Sequence, residues 1–70
     1  SDGETSTSPD ELVGIVYNGL GELYADGRGG PVDIKEGIRC FQAAAELGNG
    51  DARRNLGRFK RNWFGKWVRK

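Results

Sequence analysis

A pattern near residue 20 returns, imperfectly, 36 residues later: Leu20 falls on Leu56, Gly21 on Gly57, Leu23 on Phe59 and Gly29 on Gly65. An asparagine, Asn18 or Asn55, leads each copy. One further helical pattern, Asp33 to Leu47, lies between the copies and ends in Gly48. A period of this order, holding two helices per unit, predicts stacked helix pairs, because a single pair cannot bury its apolar side alone. Units of that kind present surfaces and are rarely catalytic.

Local signals agree with this division. Ser8-Pro9-Asp10-Glu11 starts a helix, with Ser8 at the N-cap, Pro9 at the first helical position and Glu11 completing a capping box. Leu12, Val16, Leu20 and Leu23, flanked by Tyr17 and Tyr24, recur at spacings of three and four and are expected to face the core. Asp26-Gly27 ends that helix, and Arg28 to Val32 is a turn. Asp33 and Glu36 form the next capping box, ahead of a buried stripe of Ile34, Ile38, Phe41, Ala44 and Ala45. After the Asn49-Gly50-Asp51 turn, where Asn49 or Asp51 can cap, Ala52, Leu56, Phe59, Trp63 and Trp67 share one side of a third helix. Gly65 weakens its last turn.

The expected fold is therefore all-α: a right-handed antiparallel helix pair plus a third C-terminal helix packed in the same sense. Leu20, Leu23, Phe41, Ala44, Ala45, Leu56 and Phe59 are expected to be buried, with Gly21 and Gly57 at close helix contacts. Residues 1–7, small and polar without periodicity, are expected to be a disordered arm. Residues 8–62 form the helical domain, and 63–70 form a basic aromatic tail.

Composition bounds the chemistry. Seventy residues make one small domain, near the size at which a hydrophobic core barely outweighs the entropy of ordering. Twelve glycines add to that burden, so marginal stability is expected. The chain opens at Ser1, and the expectation is a processed product or a piece of a longer protein. With no histidine and one thiol, Cys40, neither an intramolecular disulfide nor a structural zinc site can be built. Cys40 reads as a small buried hydrophobe, and Glu22 with Asp26 as a solvated helix face. Gly27-Arg28-Gly29-Gly30 lacks the ending of a phosphate loop and is a turn. No catalytic residue, metal or cofactor is expected.

The quoted motifs resemble the Sel-one-like repeat, a relative of the tetratricopeptide repeat. The similarity runs from Asn18-Gly-Leu-Gly-Glu-Leu-Tyr24 through Asp26-Gly-Arg-Gly29 and Asp33. It continues through Cys40-Phe41-Gln-Ala-Ala-Ala-Glu46-Leu-Gly48 into Asn49-Gly-Asp-Ala52 and Asn55-Leu-Gly57. It covers about residues 12–59, as one full unit and the first helix of a second. The second copy departs from the first with Lys60 in place of Tyr24 and Trp63 in place of Gly27, and Cys40 stands where an aromatic residue is usual. The resemblance implies a tetratricopeptide-like α-solenoid fragment acting as a protein-binding scaffold or adaptor, without catalytic residues.

Net charge is +1, but its distribution is polarised: residues 1–51 carry all ten acids and three bases, whereas residues 52–70 carry eight bases and no acid. Such polarity predicts self-association between unlike ends or an acidic partner for the tail. Arg58, Arg61, Trp63, Phe64, Lys66, Trp67 and Arg69 are the expected contact residues, because Trp and Arg dominate binding hot spots. An acidic protein surface is the expected partner. An anionic membrane or single-stranded nucleic acid is the alternative, since cations interleaved with aromatics suit both. The tail is expected to gain order on binding.

Overall fold

Each helix begins where a short polar side chain can accept one of the otherwise unpaired N–H groups of the first turn. Ser8 Oγ accepts from Glu11 N at 3.2 Å, Asp33 Oδ1 from Glu36 N at 3.1 Å, and Asn49 Oδ1 from Ala52 N at 2.8 Å. At Ser8 the capping box is complete, because Glu11 Oε1 accepts in return from Ser8 N. At Asp33 only the first half forms; Glu36 lies instead 3.7 Å from Arg39. The structure is a computed structural model that describes residues 8–70, so the arm expected over residues 1–7 lies outside the described residues. The elements are α1 (Pro9–Asp26), α2 (Ile34–Glu46), α3 (Gly50–Leu56), β1 (Phe59–Arg61) and β2 (Trp67–Arg69).

Helices α1 and α2 run antiparallel. Gly14 lies beside Ala44 and Leu47, while Gly21 and Ala25 lie beside Gly37 and Phe41. A methyl group placed on Gly21 would come within 2.5 Å of the Phe41 ring, and one on Gly37 within 2.9 Å of Gly21 O. These two glycines let the backbones approach over the ring. Leu23 O accepts from the N–H of Gly27, whose φ of 73° is left-handed, and α1 ends there. Asn55 Nδ2 then joins α3 to α1, donating to Asn18 Oδ1 at 2.8 Å and to Glu22 Oε2 at 3.4 Å. Ala25, Ile38, Phe41, Ala44, Ala52 and Phe59 make the core, with Ile34, Ala45, Leu56 and Trp67 packed around it. The Phe41 and Phe59 rings stack with centroids 6.3 Å apart.

Three expectations need correction. The side of α1 carrying Leu12, Val16, Leu20 and Leu23 faces solvent, with Leu20 37% and Leu23 44% exposed. α1 packs chiefly on α2, and its small side, Gly14, Gly21 and Ala25, fits that close approach, which leaves the branched side outward. Gly57 touches no other helix: it is exposed, and only carbonyls of its own turn surround it. Finally, the third helix stops at Leu56, and residues beyond it turn back as an antiparallel hairpin pairing Phe59 with Arg69, Lys60 with Val68 and Arg61 with Trp67. The fold is thus mostly helical with a small two-stranded sheet. The boundary drawn between residues 62 and 63 falls inside the hairpin turn.

The hairpin has its own local causes. Asn62 Oδ1 accepts from both Phe64 N and Lys66 N at 2.9 Å, fixing the turn. Gly65, at φ 78°, takes the left-handed position that returns the chain to β2. Its inward side carries Phe59 and Trp67 alternating with Arg61 and Arg69, so each inward cross-strand pair is a cation beside an aromatic ring.

Candidate functional site

The seven tail residues expected to form one contact surface occupy three places. Arg58 and Arg69 lie at the hairpin base, against the end of α1. Arg69 Nη2 donates to Ala25 O and to Asp26 Oδ1, both at 2.9 Å, and Arg58 Nη2 lies 3.7 Å from the same carboxylate. The last turn of α1 has no base of its own, so these guanidiniums supply the positive charge that its open carbonyls favour. Each also lies 5.9 Å from the centre of the Phe59 ring. Both residues hold the hairpin to the helices.

Arg61, Lys66 and Trp67 line a groove between the hairpin and α2, completed by Lys35, Ile38, Arg39 and Gln42. Its volume is about 630 Å³. Four cations line it, one of them, Arg39, lying 3.7 Å from Glu36, and Ile38 and Trp67 give it apolar surface. The Arg61 guanidinium lies 5.4 Å over the Trp67 ring, which keeps both in place without an acidic partner. A recess of this kind raises the local concentration of anionic groups.

Trp63 and Phe64 form the tip. They are 95% and 83% exposed, an arrangement that leaves most of two large rings in water. The bonds to Asn62 close the turn, so the rings are displayed from a formed hairpin, where the tail was expected to gain its order on binding.

A second apolar feature lies on α1 and was hidden by the assignment of its branched stripe to the core. Leu20, Leu23 and Tyr24, with Gly29, Gly30 and Pro31 of the following turn, enclose a pocket of about 310 Å³. Leu12, Val13, Val16 and Tyr17 extend exposed apolar surface from it along the helix.

Cys40 is buried in α2. Burial pushes its thiol pKa up, and the neighbouring Glu36 carboxylate adds to the effect, so the thiolate is suppressed. Among the described residues no three metal-ligating side chains come together, and no helix is long and apolar enough to cross a membrane. Compared with known proteins, the chain matches no family model, and no curated protein or solved structure shows significant similarity to it.

Proposed function

We propose that this chain is a non-enzymatic protein-interaction module whose hairpin binds an acidic segment of another protein. The observation that carries the reading is the exposure of Trp63 and Phe64 on a closed turn beside a cation-lined groove. Two apolar rings would enter the partner's apolar recesses, while Lys35, Arg39, Arg61 and Lys66 meet its carboxylates. A recessed groove favours a protein segment over a bilayer, whose surface cannot follow a concave wall. Nucleic acid would need several aromatic faces laid open along a basic path, and here Arg61 covers Trp67.

The helical part belongs to the same reading, as a Sel-one-like, tetratricopeptide-related unit with the first helix of a second. What supports it is the hydrogen bond from Asn55 to Asn18, the asparagines that lead the two copies, which ties α3 to α1 although α3 packs chiefly on α2. The hairpin then takes the place of the end of that first helix and of the turn after it, since Phe59 to Arg69 fall 36 residues beyond Leu23 to Asp33, and closes the core with Phe59 and Trp67.

The test is selection from a random-peptide display library, followed by affinity measurement on a selected peptide. The reading expects acidic sequences containing bulky apolar residues, with binding lost in the Trp63→Ser/Phe64→Ser chain. Peptides without acidic bias, or tighter binding to phosphatidylserine vesicles or single-stranded DNA than to any peptide, would contradict it.

A further inference from the structure

The exposed branched side of α1 and the exposed hairpin tip are the two apolar features that the fold leaves in water, and they carry opposite charge. Residues 9–34, which include α1 and its pocket, hold five acids and one base, Arg28. Residues 57–70 hold six bases and no acid, and four of the six, Lys60, Arg61, Lys66 and Lys70, lie beyond the two that hold Asp26 of the same chain. Within one chain the two do not meet, since Trp63 is almost fully exposed. We propose that the pocket formed by Leu20, Leu23, Tyr24 and Pro31 receives the Trp63–Phe64 tip of a second copy of this chain. The inference rests on the hairpin being the binding element and names one of its partners.

Charge decides between this arrangement and the simpler one, in which two α1 helices face each other. α1 carries no base, and of its four acids only Asp26 is met by the chain's own Arg58 and Arg69; Asp10, Glu11 and Glu22 keep their charge, so two such helices would set like charges together. The basic hairpin removes that repulsion and brings its own apolar side chains. A pocket of about 310 Å³ bounded by leucine, tyrosine and proline matches one inserted aromatic side chain. The contact joins unlike surfaces, so a bound pair still offers one free pocket and one free tip, and assembly continues beyond the dimer. A tip in a pocket is a small interface, which places the association in the weak, transient class.

Sedimentation of the full chain over a range of concentrations tests this. The average mass should rise with concentration past that of a dimer. It should fall when ionic strength goes from about 0.01 M to about 0.1 M, as the screening length drops from about 30 Å to about 10 Å. Two variants separate the surfaces: Leu20→Arg/Leu23→Arg in the pocket and Trp63→Ser/Phe64→Ser at the tip. All four positions are exposed, and helical circular dichroism checks that both chains fold. Each variant alone should associate about tenfold more weakly or less, the effect of losing a hot-spot side chain. Mixed together they should form a one-to-one dimer that goes no further, because one intact pocket and one intact tip remain between them. A wild-type chain that stays monomeric, a tip variant that associates as strongly as wild type, or a mixture that stays monomeric each overturns the proposal. Affinity for the selected acidic peptide is read on the same samples. A monomeric chain that binds the peptide refutes self-docking and leaves the interaction module standing.

Discussion

Gly19 and Gly21 lie two positions apart on α1 and should respond oppositely to the same substitution. Around Gly19 an added methyl meets nothing within 4 Å, so Gly19→Ala should stabilise the chain by about 1 kcal/mol through helix propensity. At Gly21 the methyl would meet the Phe41 ring, and Gly21→Ala should destabilise by about 1–3 kcal/mol, the usual cost of overpacking. Denaturant unfolding of both variants checks the sign. Gly21 was legible in the sequence because it recurs as Gly57, yet the recurrence misled at Gly57, which has no facing helix to admit. Gly37, the other half of the close approach, carried no signal, since nothing in the period marks it. Cys40 supplies a pH dependence. Its folded pKa is raised from 9.0, so the folded state keeps a proton that the unfolded chain loses. Its contribution to stability is complete below the unfolded value and is lost as pH rises through the folded one. Above about pH 9 the wild type should lose stability faster than Cys40→Ala, as read from unfolding midpoints across alkaline pH.

At the scale of elements, α1 and α2 were legible to within a residue or two because their caps are spelled out by Ser8, Asp33, Gly27 and Gly48. The hairpin was not. Leu56, Phe59, Trp63 and Trp67 stand at helical spacing, and the alternation of a strand was disguised because the inward partners of Phe59 and Trp67 are Arg69 and Arg61. Of the cations expected to form one contact surface, Arg61 and Arg69 instead cover aromatic rings. The usable signal was Asn62 followed three positions later by Gly65, a turn with a left-handed residue. It follows that the two tryptophans differ. Trp67→Ala should lower stability by about 3 kcal/mol, near the lower end for a packed aromatic because Trp67 is only half-buried. Trp63→Ala should change it by less than about 0.5 kcal/mol, as at other exposed positions. Thermal unfolding separates them, and equal losses would mean that Trp63 is packed as well.

For the whole molecule, a few residues around Phe41 and Phe59 make the core, and a core of this size rarely supplies more than about 3–5 kcal/mol. Meanwhile the branched side of α1 remains outside it. The sequence showed that α1 has an apolar stripe but not which layer covers it, because periodicity records a side chain's direction and says nothing of its neighbour. If second copies cover that stripe, the melting midpoint should rise with protein concentration, since association stabilises only the folded chain. A midpoint independent of concentration would indicate that the local core suffices. The central claim is that the hairpin keeps Phe59 and Trp67 for the fold and releases Trp63 and Phe64 for contact. Measuring unfolding midpoint and acidic-peptide affinity on the same preparation of the Trp63→Ser/Phe64→Ser chain tests it most directly. The dilute-solution midpoint should stay within a degree or two of wild type, about what a few tenths of a kcal/mol would produce, with no peptide binding; a collapsed midpoint, or unchanged binding, would refute this division of the aromatic residues.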